Sequence, residues 1–298
     1  MTDTHRKKQI RFIINPISGV YSKKIVERLI KRHIQTDIIA YEIVYSMYPG
    51  HATELSSEAA SEKFDAVVAV GGDGTINEVA RALKNTDTAL GIIPAGSGNG
   101  LARGLNIPLR KAAAVRMIND FNTTKMDTAT INNTFFVNIA GIGFDAEVAK
   151  LFEIVSKRGF WPYFNIIFRK FFNFKPHTFT LVVNGKREVR KCMMISFANA
   201  SQFGFQTIIA PHARVDDGLI DVCRLSMLPW YKVPGLLLRI YTKGADKSPY
   251  IDIEKAASLE VYAHDKVPAH IDGDPAAPAK KFTVKVFRKN LKIIVPEL

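Results

Sequence analysis

The sequence predicts an α/β domain on a parallel, doubly wound sheet over residues 1–124, followed by a mostly antiparallel β-sandwich over 125–298. Three observations predict it. Apolar runs at Ile10–Ile14, Ile38–Tyr45, Ala66–Val70 and Leu90–Ile93 alternate with stretches of helical apolar spacing, the rhythm of strand-helix-strand units. Three of these runs end in turns rich in glycine, which gather at the carboxyl ends of a parallel sheet, where ligands bind. From Lys125 the texture changes to short alternating strands, with the hairpin signal Asn184-Gly185 among them.

Taken in order, Ile10–Ile14 reads as a buried strand ending in N-P-I-S-G at Asn15–Gly19. Ser22 then precedes a helix with Ile25, Leu29, Ile30 and His33 at helical spacing, His33 reading as a helix-end residue. The second strand ends at Ser46. Gly50-His51 opens the helix Ala52–Ser61, and His51 fits either a cap or a phosphate contact. Ala66–Val70 runs into G-G-D-G-T, and Ile76, Val79, Ala80 and Leu83 mark the helix beyond it. A side chain at Gly71, Gly72 or Gly74 would block positive φ or the close approach of a ligand to backbone N–H groups. Thr75 is placed as N-cap, with Glu78 completing a capping box. Asp73 is the odd residue. A carboxylate beside a phosphate-binding turn repels the ligand unless a cation or a proton lies between them, which points to a nucleotide and magnesium. Leu90–Ile93 leads into P-A-G-S-G-N-G-L-A-R at Pro94–Arg103; Leu101–Leu105 starts a short helix, Pro108 breaks it, and Leu109–Ile118 forms another.

In the second domain the strand-like runs are Met126–Ile131, Phe135–Ile139, Thr178–Val183, Glu188–Phe197 and Ile208–Ala210. Leu219–Leu225, Ser258–Tyr262, Phe282–Phe287 and Leu291–Val295 continue the series. Two stretches break the pattern. Leu151–Lys175 is basic, helix-length and dense in Phe, Tyr and Trp, which reads as a membrane-interface or lipid-cleft segment. Pro229–Tyr241 is similar but shorter and reads as core.

The formal charge of +13 fits nucleic acid, anionic lipid or phosphate-bearing partners. Much of the excess lies at Arg6–Arg11, Lys23–Arg32, Lys157–Lys175 and Lys280–Lys292, and the interleaving of the third cluster with aromatics favours a membrane surface. No base-stacking module or recognition-helix pattern accompanies the charge, so no nucleic-acid partner is expected. Cys192 and Cys223 give no disulfide framework or metal spacing and read as buried thiols of a reducing compartment. The N-terminus is polar, and no stretch approaches the roughly 18 apolar residues of a membrane span. The expectation is a cytoplasmic protein, peripheral at the inner membrane surface.

N-P-I-S-G, Y-P-G-H-A-T at Tyr48–Thr53, G-G-D-G-T-I-N-E-V and P-A-G-S-G-N-G-L-A-R, in this order and spacing, resemble the diacylglycerol kinase-like lipid kinases, with bacterial diacylglycerol kinases, sphingosine kinases and ceramide kinases among them. D-D-G-L-I-D at Asp216–Asp221 and I-D-G-D at Ile271–Asp274 extend the resemblance over most of the chain. It implies an NAD kinase/phosphofructokinase-like first domain, a last strand that returns to it, and phosphoryl transfer from ATP with Mg2+. It also implies roles. Asn15, Gly19, Ser46, Gly72, Gly74, Thr75 and Ser97 would line the nucleotide together with Gly71, and Asn77 and Glu78 follow on the helix. Asp73 would meet magnesium or the acceptor hydroxyl, and Asp127 would join its network. Asp274 stands where the family places a Glu as general base, one methylene shorter, with Asp73 as its rival. Asp145 and Glu147 would face the lipid headgroup. A structural metal site would use Asp217 with the backbone oxygens of Arg214 and Leu219.

One departure is Gly100, where many bacterial diacylglycerol kinases carry an acid; the form here is nearer that of sphingosine and ceramide kinases. The leading expectation is an ATP- and Mg-dependent kinase acting on a hydroxyl of a diacylglycerol, sphingoid or ceramide-type membrane lipid, at an anionic membrane surface. A soluble-substrate kinase of the NAD kinase type and a nucleotide- and membrane-binding regulator without turnover are the alternatives. A homodimer is left open.

Overall fold

In the computed structural model the chain divides into two compact units, Met1–Asp127 with Lys289–Leu298, and Thr128–Arg288. The structure describes residues 6–18, 23–154, 170–204 and 207–297, and the side chains among these except at 23 and 150–154. Gly19, Ser22 and most of the basic-aromatic stretch Leu151–Lys175 lie outside the described residues.

The first unit is α/β. Strands β1 (Lys8–Ile14), β2 (Ile39–Tyr45), β3 (Ala66–Gly71) and β4 (Ala89–Pro94) alternate with helices α1 (Lys23–His33), α2 (His51–Ser61) and α3 (Asp73–Leu83). Beyond β4 come α4 (Gly100–Gly104) and α5 (Lys111–Asp120). The strands are parallel in the order β2-β1-β3-β4. β2 lies on one side of β1 and β3 on the other, so the chain reverses its winding between β1 and β3. That reversal opens a crevice at their carboxyl ends. β1, β3 and β4 read as continuous apolar runs because helices cover both faces of such a sheet. Arg11 is the exception within the buried part of β1. It is buried because its guanidinium meets Glu42, bonds Glu58 at 3.0 Å, Glu62 at 3.1 Å and the Leu55 carbonyl at 2.9 Å, and lies over the Phe64 ring.

The second unit is an antiparallel sandwich. Strand β5 (Thr123–Ile131) leads into it and pairs with β6 (Thr134–Phe136). β7 (Ile139–Gly143) precedes α6 (Phe144–Ile154), and β8 (His177–Val183) and β9 (Lys186–Cys192) form a hairpin through Asn184 and Gly185, both at positive φ. β10 (Met194–Ala198), β11 (Ile220–Leu225), α7 (Val233–Tyr241) and β12 (Ile251–Ala256) follow, then β13 (Ser258–Ile271) and β14 (Asp274–Ile294). The ladder β12-β11-β10-β7-β13 is antiparallel throughout. β13 turns the corner between layers: its first half pairs with β8, its last residues pair with β7, and register shifts lie between them. Phe136, Phe179, Phe197, Val261 and Phe282 fill the space enclosed. A second apolar cluster, with Phe144, Met193, Leu225 and Leu236, packs under α6 and α7. Cys192 and Cys223 are buried thiols; burial raises Cys192 to about 11 and Cys223 higher than usual, against nearby arginines.

Several boundaries differ from the sequence reading, each because strand pairing is non-local. Phe135–Ile139 splits into β6 and β7, since the backbone N–H groups of Val137, Asn138 and Ile139 turn to one carboxylate, Asp272. Glu188–Phe197 splits at Met193, whose N–H goes to the Leu225 carbonyl. Ile208–Ala210 contributes only an isolated bridge, Gln202 to Ile208. Phe282–Phe287 and Leu291–Val295 belong to one strand of 21 residues. Its end lies parallel to β4 at Ile293. Pro229–Tyr241 buries one face of α7 and leaves Trp230, Tyr231 and Leu238 exposed, against the expectation of core. Among the described residues no helix is long and apolar enough to cross a membrane.

Replacing Arg11 by Ala strands three glutamates and one carbonyl together. Urea unfolding is expected to read a loss of about 1–3 kcal/mol, whereas Glu58→Gln, at a half-exposed partner, costs under about 0.5 kcal/mol.

Candidate active site

The glycine turns of the first unit interlock. Gly72 is the residue before α3, and Gly96 follows β4; a Cβ on Gly96 would stand 2.5 Å from the Gly72 Cα, so Gly96 needs a bare backbone, and a Cβ on Gly72 would sit tightly at 3.2 Å from the Gly96 Cα. Around this contact the Ala95 N–H donates to the Gly71 carbonyl at 2.8 Å, and the Gly100 N–H donates to Asp73 Oδ1 at 2.8 Å. Asn99, in a left-handed conformation, bonds both the N–H and the carbonyl of Gly96 through its amide. Across the crevice at β1 and β3, Asn15 Nδ2 donates to Thr75 Oγ1 at 3.0 Å. Ser46 sits at the end of β2, its N–H on the Ile14 carbonyl, and Ser97 is exposed in the second glycine turn. Asn15, Ser46, Gly71, Gly72, Asp73, Gly74, Thr75 and Ser97 thus gather at the carboxyl ends of the four strands. A small concavity lined by Asn15, Pro16, Ser18 and Ala95 opens there. The first-turn N–H groups of α3 and the turn itself can bind an anion.

Three expectations change in detail. Gly72 is the N-cap of α3, and Thr75, inside the helix, accepts the Asn15 bond. Glu78 makes no capping box: its carboxylate accepts the N–H groups of Gly50 at 3.0 Å and Ala52 at 3.2 Å, closing the start of α2. The His51 ring does not cap α2: its Nδ1 accepts the Met47 N–H at 3.0 Å, and the ring stacks on Tyr48. Asn77 is buried and accepts from Arg81. Asp127 is fully buried on β5 and accepts the Lys289 N–H at 2.6 Å, fixing the left-handed bend there.

In the second unit, I-D-G-D closes the β13–β14 hairpin. Asp272 and Gly273 both take positive φ, the geometry of a tight hairpin turn, and Asp274 opens β14 opposite Ile271, exposed. The turn is anchored by Asp272, which accepts three N–H groups from 137–139 at 2.9–3.1 Å. Asp145, in the first turn of α6, is largely buried; Oδ2 accepts from Ser196 Oγ at 3.0 Å and faces His270 Nε2 at 3.2 Å. Gly141 must lack a side chain, because a Cβ would fall 2.0 Å from that oxygen. Glu147, on the same turn, pairs with Lys170 at 2.7 Å.

The sequence matches the profile of the diacylglycerol kinase catalytic domain over residues 9–131 and that of the YegS C-terminal NAD kinase beta sandwich-like domain over 138–295. The second match alone spans more than half of the chain. The chain belongs to the diacylglycerol kinase-like lipid kinase family. A diacylglycerol kinase of Staphylococcus aureus strain JH9 is 28% identical over 286 residues, covering 90% of this chain and 86% of that one. The crystal structure of a diacylglycerol kinase from Bacillus anthracis strain Sterne superposes with a TM-score of 0.74 at 18% identity, covering 97% of each chain. An NAD kinase from Archaeoglobus fulgidus in complex with ATP shares the fold with a TM-score of 0.52 at 16% identity, over 97% of this chain and 94% of that one.

Two features of this family member depart from the resemblance. At Gly100, where an acid is absent, the backbone N–H holds the Asp73 carboxylate instead. At D-D-G-L-I-D the Asp217 carboxylate, the one side chain the resemblance gives to a structural cation, is already taken up by other groups. The Lys255 ammonium lies 2.6 Å from Asp217 Oδ2 and 3.5 Å from Asp221 Oδ2, and Asp217 Oδ1 takes the Leu219 N–H. The Arg214 side chain, whose backbone oxygen the resemblance assigns to the site, pairs with Asp216. A second cation at Asp217 would meet the ammonium as a like charge at short range. Asp221 and Lys255 are cross-strand neighbours on β11 and β12, so the pairing is built into the register. Burial raises the Asp221 carboxyl, against the pull of Lys255; burial lowers the Lys255 ammonium, and its bonds to Asp217 and Asp221 more than reverse that. Among the described residues no three His, Cys, Asp or Glu side chains form a metal cluster.

Lys255 and Asp272 escaped the sequence reading. Asp272 had a local signal, the D-G turn, but its partners lie far back in the chain; Lys255 had none, because its role depends on which strand lies beside β11. The nucleotide-free protein is expected to melt within about 1 °C in EDTA and in millimolar Ca2+ or Mg2+. Lys255→Met leaves two carboxylates uncompensated and lowers the midpoint by about 3–8 °C, partly restored by Ca2+. Loss of midpoint in EDTA by the unaltered chain, reversed by a divalent cation, contradicts this.

Proposed function

We propose that the protein transfers the γ-phosphoryl group of ATP to a hydroxyl of a membrane lipid of diacylglycerol, sphingoid or ceramide type. The observation that carries this reading is the pair of interlocked glycine turns at the switch point, with Asp73 fixed beside them by the Gly100 N–H. Backbone N–H groups of the α3 turn, with Asn15, Ser46 and Ser97, would bind the nucleotide phosphates. Asp73 offers hard oxygen to Mg2+, which commonly takes one or two carboxylates plus substrate phosphates and neutralises charge on them. Asp127, buried on the Lys289 N–H, holds backbone in position.

In the reaction the lipid oxygen forms a bond to the γ-phosphorus as the bond to the β,γ-bridging oxygen breaks, and the hydroxyl proton leaves to a base. Asp274 is assigned as that base. It is exposed at the end of a hairpin whose turn Asp272 pins with three hydrogen bonds, so its position is defined although it is a methylene shorter than glutamate. Asp73 is the rival. Asp145 stands in a buried Ser196–His270 network and Glu147 pairs with Lys170, so of the two, Glu147 is the better placed to meet a polar headgroup.

Label transfer from γ-labelled ATP, with Mg2+, to vesicle-borne diacylglycerol, sphingosine, ceramide and phosphatidylglycerol, and to soluble NAD, tests the assignment. A labelled lipid is expected, lost about 10²–10⁴-fold in Asp73→Asn and Asp274→Asn with unchanged melting, and kept within about tenfold in Asp274→Glu. Label on NAD alone would move the reading to a soluble-substrate kinase. Full turnover in Asp274→Asn would move the base to Asp73.

A further inference from the structure

We propose that α7 and the turn before it form the surface by which the protein lies on an anionic lipid bilayer, an inference that rests on the lipid-kinase reading above. From Ser226 to Gly244 the chain reads S-M-L-P-W-Y-K-V-P-G-L-L-L-R-I-Y-T-K-G, with three cations, Lys232, Arg239 and Lys243, and no acid. The inward face of α7 meets all that packing demands: Val233 and Leu236 are buried, and Leu237 and Ile240 lean on the apolar cluster beneath. The outward face is apolar as well. Trp230 is 57% exposed, Tyr231 62% and Leu238 64%, with Met227 and Phe172 about half exposed.

The three rings adjoin in a row. The Phe172 and Trp230 rings lie 6.4 Å apart, Trp230 and Tyr231 6.1 Å, and the Lys232 ammonium is 5.8 Å from the Tyr231 ring. The helical turn at Trp230–Lys232 runs directly into α7, so Tyr231 and Leu238, seven residues apart, share a stripe with Pro234 and Gly235 between them. All four are exposed, and the two middle ones add little bulk. Single exposed apolar residues are ordinary; a run of adjoining rings and an aliphatic on one stripe marks an interaction surface.

The chemistry selects the occupant. Indole and phenol rings settle at the headgroup level of a bilayer, and Lys and Arg stems reach past them to phosphates. Lys232, Arg239 and Lys243 are all exposed, and Asp246, the next acid in the chain, faces His212. A shallow patch of this kind with clustered cations attaches reversibly and responds to salt.

Trp230 is one of two tryptophans, so the full-length Trp161→Phe variant makes it the sole indole reporter. Phosphatidylcholine vesicles with rising phosphatidylglycerol are expected to shift its emission to the blue, and chains brominated near the headgroup to quench it. Trp230→Ser with Tyr231→Ser and Leu238→Ser is expected to weaken vesicle partitioning on the order of tenfold, with the melting midpoint kept, because all three sites are exposed. Lys232→Gln with Arg239→Gln should flatten the dependence on salt. Protein that sediments with vesicles while Trp230 emission stays water-like, or a triple variant that sediments like its parent, overturns the proposal. An emission shift that follows protein concentration and ignores vesicles assigns the face to a second copy and overturns it too. These readouts need no turnover, so failure of the lipid-kinase reading leaves them interpretable.

Discussion

The contact between the backbones of Gly72 and Gly96 sets the geometry of the first unit. Two strand-to-helix turns lie against each other here without side chains between them: a Cβ on Gly96 would fall 2.5 Å from the Gly72 Cα, an excluded approach, and one on Gly72 would sit tightly at 3.2 Å from the Gly96 Cα. The neighbouring bonds follow from that approach. Ala95 reaches Gly71, Gly100 reaches Asp73, and Asn99 closes its own turn over Gly96. Asn15 ties the end of β1 to Thr75 across the point where the sheet reverses its winding. The resulting row of strand ends presents backbone N–H groups and one fixed carboxylate, the equipment phosphoryl transfer asks of a protein that supplies little covalent chemistry.

The second unit solves a different problem, the placement of charge inside a β-sandwich. Asp272 is buried because it satisfies three N–H groups at the start of β7, and that clamp fixes the hairpin carrying Asp274. Arg224 is buried among Glu188, Asp252 and Glu254, and Lys255 joins Asp217 to Asp221 across β11 and β12. Arg224 meets Asp252 and Glu254, and Asp221 meets Lys255, across the paired strands β11 and β12, so these pairings favour one register over its one-residue slips. An internal ammonium at the D-D-G-L-I-D loop is part of the same scheme.

Elements governed by local rules were legible in the sequence. The continuous apolar runs of β1, β3 and β4, the Asn184-Gly185 hairpin, and the glycine turns with Asp73 could be read from neighbours in the chain. What could not be read depended on distant partners. Thr75 looked like a cap because its hydroxyl suits one, yet Asn15, just past the end of β1, claims it. Glu78 fitted a capping box by spacing, yet the open N-terminus of α2 offered two donors at once. The aromatics of Pro229–Tyr241 looked like core because apolar spacing does not say how many faces of a helix are covered. The hairpin that precedes Asp274 was legible as an Asp-Gly turn, which Asp272 and Gly273 form.

The central claim is that the Gly72–Gly96 contact shapes the nucleotide cradle, and equilibrium titration of ATP with Mg2+ into the Gly96→Ala protein tests it most directly. A folded variant, by circular dichroism and melting, that binds ATP at least about tenfold more weakly than the parent is the predicted result, because the two turns must part to admit the methyl group. Unchanged ATP affinity in that folded variant would contradict the account, since the cradle would then not depend on the approach of the two backbones.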